Sequence, residues 1–169
     1  MTSTTDIVEF ELNGERYALD IQLVREIVEM IPITPIPRAP QFISGVINLR
    51  GEITNIMNLN TLLGLQEQAV RDDQKIIVLV PEAANGNNVG IIVDDVSSVR
   101  QITQQNVETI GTGISQEFAQ FVKGIIKISS EETEKKSEGL VIWLDMEKVL
   151  ADLSGKAKGA QNAGVEHEA

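Results

Sequence analysis

The chain has 169 residues, of which 42% are hydrophobic, 4% aromatic and none cysteine, and its formal net charge is −11. A chain of this size buries roughly 70% of its unfolded surface, so it suits one domain or two small ones and needs no disulfide or metal to fold. The missing cysteines exclude disulfide frameworks, thiolate zinc sites and cysteine nucleophiles. The acidic balance opposes binding to phosphate backbones and anionic membrane surfaces, and the few aromatics leave little material for base stacking. Met1 to Asp6 shows no signal-peptide pattern, and no apolar run approaches the roughly 20 residues of a membrane helix, so a soluble cytoplasmic protein is expected.

In chain order, the first half reads as strands. Val8, Phe10 and Leu12 alternate with polar residues, Asn13-Gly14 follows, and Tyr17, Leu19 and Ile21 alternate again. Asn-Gly between two alternating runs predicts a hairpin with a type I′ turn, whose two central residues both take positive φ. Residues 21–30 fit a helical turn near Ile21–Val24 and then an extended edge; Pro32, Pro35, Pro37 and Pro40 end any helix and keep the chain extended. A second hairpin, Val46–Leu49 with Ile53–Leu59, turns at Arg50-Gly51. Asn60–Leu65 predicts a short helical turn, and residues 66–74 a polar connection.

Ile76–Val80 is apolar throughout, as a strand buried on both faces is. The turn cluster Asn85–Asn88 leads into a return strand, Val89–Val93, and Val96, Val99 and Ile102 extend the pattern. Thr103–Gln116 predicts a loop with some helical turn. Ile125–Ile128 and Leu140–Leu144 form the last strand pair, joined by the charged segment Ser129–Glu138. Asp145 is placed to cap a short helix over Met146–Leu153, and Ser154–Ala169, small and polar, reads as disordered.

Short strands at regular spacing predict an all-β fold of small barrels. An internal repeat sharpens this. "FISGVINL" (42–49) matches "FVKGIIKI" (121–128), and the segments that begin at Ile56 and Ile142 each give an apolar strand, an Asn or Asp, and a short helical turn. Two similar barrels side by side follow. The expected organisation is an N-terminal tail (1–6), a domain over 7–152 with a first barrel near 7–66 and a second near 75–152, exchange of strands between them allowed, and a disordered tail over 153–169.

Catalysis needs titratable groups converging on one site. The single histidine, His167, falls in the predicted tail, and neither a phosphate-binding glycine loop nor a G-x-S-x-G elbow occurs. Asp94-Asp95 reads as a strand end, Asp72-Asp73 and Glu131-Glu132 as solvated loop charges, and Trp143 as core. No enzyme, cofactor or metal is expected.

Four stretches in register, "FELNGERYALDIQLVREIVE", "ITPIPRAPQFISGVINLRGEI", "GIIVDDVSSV" and "FVKGIIKI", resemble the CheW family of chemotaxis coupling proteins over about Ile7 to Leu150. The resemblance implies two five-stranded SH3-like barrels around a shared apolar seam, with short helical turns and a short C-terminal helix. It implies a non-catalytic adaptor between the cytoplasmic tips of methyl-accepting chemotaxis receptors and the regulatory domain of the histidine kinase CheA, recruited to receptor arrays at the inner face of the membrane. An adaptor of the same fold in a related kinase pathway, serving surface motility or biofilm signalling, is the alternative. Oligonucleotide binding by a small barrel is opposed by the charge.

The arginine of the second hairpin turn, Arg50, looks like the one that the family associates with coupling, and Val24 and Glu26 fall at positions it associates with the same surface. Asn48 and Gly51 frame that turn. Val96 and Val99, with Val93, fit a groove between the barrels as well as core packing. The chain also departs from the family pattern: Asn55 stands where a proline is usual and Asn58 where an aspartate is usual. The first restores a backbone donor to the strand; the second removes a charge.

Overall fold

The computed structural model describes residues 3–66, 68–109, 120–128 and 139–152. The first strand, β1 (Thr4–Leu12), turns at Asn13-Gly14 into β2 (Glu15–Asp20). The turn has φ of 54° at Asn13 and 80° at Gly14, as the Asn-Gly pair predicts. A 3-10 turn, Ile21–Leu23, leads to β3 (Val24–Glu29), and the hairpin β4 (Ile43–Leu49) and β5 (Glu52–Asn58) follows the proline segment. After β5 come a one-turn helix, α1 (Leu59–Leu62), and the pair β6 (Lys75–Leu79) and β7 (Val89–Val93), separated by a 3-10 turn over Pro81–Ala84. The chain then runs through β8 (Asp95–Thr103), β9 (Val107–Glu108), β10 (Val122–Ile128) and β11 (Gly139–Leu144) into a helix, α2, described over 146–152.

The strands form a six-stranded sheet in the order β8-β1-β2-β11-β10-β9 and a five-stranded sheet in the order β3-β6-β7-β5-β4. Once β9 is set aside, the two sheets are the same object. In each, an edge strand pairs antiparallel with a hairpin (β8 with β1-β2, β3 with β6-β7). The hairpin's second strand then runs parallel to β11 or β5, whose antiparallel partner is β10 or β4. In the five-stranded sheet these strands follow one another in the chain. In the other, the hairpin comes from the N-terminus and the remaining strands from the C-terminal half.

Sheet membership therefore divides the chain differently from the 7–66 and 75–152 expected from the sequence. The N-terminal hairpin belongs with β8–β11, and β3–β7 make the second sheet. The hairpin crosses because β2 pairs with β11 through Tyr17–Ile142 and Ala18–Trp143. The N-terminal boundary moves as well: β1 starts at Thr4, ahead of Ile7, because Thr4–Asp6 pair with Gln101–Thr103. The two-residue strand β9, within the predicted loop, forms against Ile125 and Ile126 of β10. Ser129–Glu138 and the segment beyond Asp152 lie outside the described residues.

The repeat is real, and its second half is offset by one residue from the alignment on Ile56 and Ile142. The glycines of the matching octapeptides, Gly45 and Gly124, sit at equivalent register shifts and pair with Ile56 and Trp143. Asn58 and Asp145 follow at equivalent positions. Their backbone N–H groups donate to Phe42 and Phe121 at 2.7 and 2.8 Å, and each residue caps the turn of helix that follows.

Three apolar clusters hold the sheets. One lies within each sheet: Ile7, Ala18, Ile102, Ile126, Ile128 and Val141 in the six-stranded sheet, and Ile47, Ile56, Ile76, Val78 and Ile92 in the other. The third lies between them and takes Phe10, Leu12 and Leu19 from one side and Ile77, Leu79, Ile91 and Val93 from the other. A strand that alternates between an inner and a shared core is apolar on both faces. This is why Ile76–Leu79 and Val89–Val93 read as unbroken runs.

Gly45 has φ of +148°, and a Cβ on it would lie 2.2 Å from the Thr34 carbonyl oxygen, where Thr34 bridges to Val46. Gly45→Ala is expected to destabilise by about 3 kcal/mol, because a backbone atom cannot step aside. Gly14→Ala, where nothing lies within 4 Å, should cost only the turn strain, about 1 kcal/mol. Urea unfolding midpoints of the two variants check the contrast.

Candidate functional site

The β4–β5 turn pairs Leu49 with Glu52 across Arg50 and Gly51, whose φ values are 51° and 88°. It is the same type I′ geometry as Asn13-Gly14, with arginine in the place of asparagine. Asparagine and glycine tolerate this left-handed region, whereas other L-residues pay about 1–2 kcal/mol for it. The turn would close more easily with another residue, so its backbone does not account for Arg50. Asn48 accepts a hydrogen bond from the Gly51 N–H at 2.8 Å and stiffens the loop.

The five-stranded sheet curls so that its two edges meet around this turn. Arg50 Nη2 is hydrogen-bonded and ion-paired to Glu26 Oε1 on β3, and Arg25 Nη1 reaches Glu52 Oε2 at 3.2 Å. Beyond β3, Thr34 and Val46 exchange two backbone hydrogen bonds of 2.9 Å. Along β3, Val24, Glu26 and Val28 are half-buried while Arg25, Ile27 and Glu29 are exposed. The Arg50 side chain is 64% exposed and that of Glu26 24%. A guanidinium has five donors and one carboxylate occupies at most two, so Arg50 is held in place with donors left for a partner.

The sequence-derived site residues thus fall into two groups. Arg50, Glu26, Asn48 and Gly51 converge at the turn, with Val24 at the start of β3, half-buried against the shared core. Val96 and Val99 lie on β8, the edge of the other sheet: Val96 packs against the shared core, Val99 is 60% exposed, and Val93 is fully buried. Sequence reasoning missed Arg25 and Glu52, the second ion pair at the turn, and the exposed Ile53 beside Asn48 in register. No periodic signal pointed to Arg25, because charged and apolar residues do not alternate along β3 even though burial does.

The two departures from the family pattern have structural answers. The Asn55 N–H donates to the Asn88 carbonyl at 2.9 Å, so the restored donor is used. Asn58 Oδ1 accepts from the N–H groups of Asn60 and Thr61 at 3.0 and 3.4 Å, the role an aspartate would fill at a helix start. Among the described residues, no cluster of three metal-ligating side chains occurs, and no helix is long and apolar enough to cross a membrane. Burial and the charge of Glu15 raise the pKa of Tyr17, and a hydrogen bond to Asp73 raises that of Arg71; both lie away from the turn.

The model of the CheW-like domain matches residues 6–154. The chain belongs to the CheW family. It is 30% identical to the chemotaxis protein CheW of Thermotoga maritima over 89% of this chain and 91% of that one. It is also 32% identical to CheW of Treponema pallidum over 72% of each chain. The crystal structure of the scaffolding protein CheW of Thermoanaerobacter tengcongensis superposes with a TM-score of 0.68 at 32% identity, covering 85% of both chains. CheW membership and that structure agree with the mainly β, two-sheet architecture and its SH3-like curl, and place the chain among chemotaxis scaffold proteins.

Arg50→Asn recreates the Asn-Gly turn and gives up an exposed ion pair worth about 0–1 kcal/mol. Relief of the left-handed strain, about 1–2 kcal/mol, opposes that loss. Thermal unfolding should therefore show Arg50→Asn at least as stable as the parent.

Proposed function

We propose that the protein is a non-catalytic adaptor that couples the cytoplasmic tip of a methyl-accepting chemotaxis receptor to the regulatory domain of the kinase CheA, with the Arg50 turn as a contact surface. The observation that carries this reading is Arg50 itself. It is an exposed, braced arginine in a turn position where its backbone conformation costs energy. A residue that works against folding and is fixed by a second side chain suits recognition, and arginine is enriched at interface hot spots.

Glu26 and Arg25–Glu52 surround the guanidinium with alternating charge, which favours register and rejects wrong partners more than it adds affinity. Val24 and the exposed Val99 add apolar area on the edge strands for the apolar stripe of a receptor helix. Signal passes only if the receptor's state changes the free energy of the assembly, since equal affinity for both states shifts nothing. Individually weak contacts gain strength by being linked in an array. The protein acts in the cytoplasm, at the inner face of the membrane where the receptor tips lie.

The test is CheA autophosphorylation in membranes that carry a cognate receptor. Addition of the protein should bring the kinase under receptor control. Arg50→Glu should lower that activation at least tenfold, and Arg50→Asn should lower it while the fold is retained. Full receptor control with Arg50→Glu would remove the turn from the coupling surface.

A further inference from the structure

The repeated architecture leaves two counterpart grooves, each where a hairpin of one sheet meets the helix that follows the other hairpin. Phe121, Val122 and Leu144 line one with Tyr17 and α1; Phe42, Ile43 and Met57 line the other with α2.

That second groove encloses about 350 Å³ over a floor of Phe42, Ile43, Met57 and Leu150. Two carboxylates stand on its rim: Glu82 from the 3-10 turn Pro81–Ala84, and Glu147 from α2. Both are exposed, and among the described residues neither has an ion pair or hydrogen bond. Glu26, Glu29, Glu52 and Glu108, by contrast, are each taken up by an arginine or lysine. The Arg50 turn has its charges matched internally; this groove has an apolar floor and an unmatched negative rim.

We propose that the groove is a second docking surface, separate from the Arg50 turn, which takes a segment of a partner protein carrying one large apolar side chain between two lysines or arginines. Its size fixes the scale of the occupant. It lies at the small end of ligand pockets, roughly 300–1,000 Å³, and an α-helix with its side chains is about 10–12 Å across, so one or two side chains enter rather than a whole helix. Charge complementarity fixes the flanks, because carboxylates beside an apolar floor favour cations and repel acidic segments. The reading does not depend on the coupling role proposed for Arg50.

The probe is a fluorescein-labelled peptide, Ala-Lys-Ala-Phe-Ala-Lys-Ala, titrated with the full chain and followed by anisotropy, beside the same peptide with Glu in place of each Lys. The lysine peptide should bind and shift the backbone amide resonances of Phe42, Ala83, Leu150 and Ala151. Glu82→Gln with Glu147→Gln should weaken binding about tenfold, as should raising ionic strength from about 0.05 to 0.5 M. Ala151→Trp, an exposed position on the wall, should block it, and Arg50→Glu should leave it unchanged. Equal binding of the two peptides, or shifts elsewhere than this groove, would overturn the proposal. A rise in affinity for the lysine peptide in the full chain carrying Lys156→Glu and Lys158→Glu would overturn it too, by assigning the groove to the chain's own C-terminal segment.

Discussion

The structure depends on burial between the two sheets. Each sheet has an apolar cluster of its own, but Phe10, Leu12, Leu19, Ile77, Leu79, Ile91 and Val93 are covered only when the sheets meet. At roughly 25 cal/mol per Å² of apolar surface, a seam of this kind outweighs any exposed ion pair in the molecule. The N-terminal hairpin enforces it: β1 and β2 supply three of those residues and complete a sheet whose other strands come from the far end of the chain. The five-stranded sheet is built from consecutive strands, but the six-stranded sheet joins the two ends of the chain. The fold closes only after its ends have been brought together, and long-range closure of this sort slows folding more than it lowers stability.

Against that rigid seam, the Arg50 turn is a local expense. Two hairpins in one molecule use the same type I′ geometry, and one carries Asn-Gly while the other carries Arg-Gly. The asparagine turn shows what this backbone prefers, so the arginine is not there for the turn. The edge-to-edge contact of the curled sheet then gives the guanidinium a fixed anchor in Glu26, with Arg25 and Glu52 as a second pair. A long side chain tethered at one donor loses less entropy when a partner arrives, which is how preorganisation improves binding without enlarging an interface.

Much of this was legible in the sequence. Asn13-Gly14 specified its turn, the unbroken apolar run at Ile76–Val80 specified a doubly buried strand, and the helical turn and edge at residues 21–29 appeared where the pattern put them. These are local or periodic signals. What lay beyond reach was pairing: nothing in Tyr17 and Ala18 says that they run beside Ile142 and Trp143, because a parallel neighbour leaves no turn between the two strands. For the same reason the division at residues 66–75, a polar connection in the chain, differs from the division between sheets. The one-residue offset of the repeat is subtler. An alignment pairs like with like, Ile56 with Ile142, whereas the structure pairs the residues opposite each bulge glycine, Ile56 with Trp143.

Duplication with exchange also explains why the two halves of the surface differ. Equivalent backbones are free to carry unequal side chains once the seam and the bulge glycines are satisfied. Asn48, beside the exposed Ile53, has its counterpart in Lys127, beside the exposed Leu140, because both pairs stand three residues beyond a bulge glycine. The backbone thus offers two similar faces, and charge decides how each is used: Lys127 is paired with Glu108, while Asn48 stiffens the arginine turn. A scaffold that must meet different partners without being confused between them gains from this arrangement, because discrimination comes from mismatched charge at equivalent sites. The constraint falls on the core, which has to stay twofold, and the surface is released to specialise.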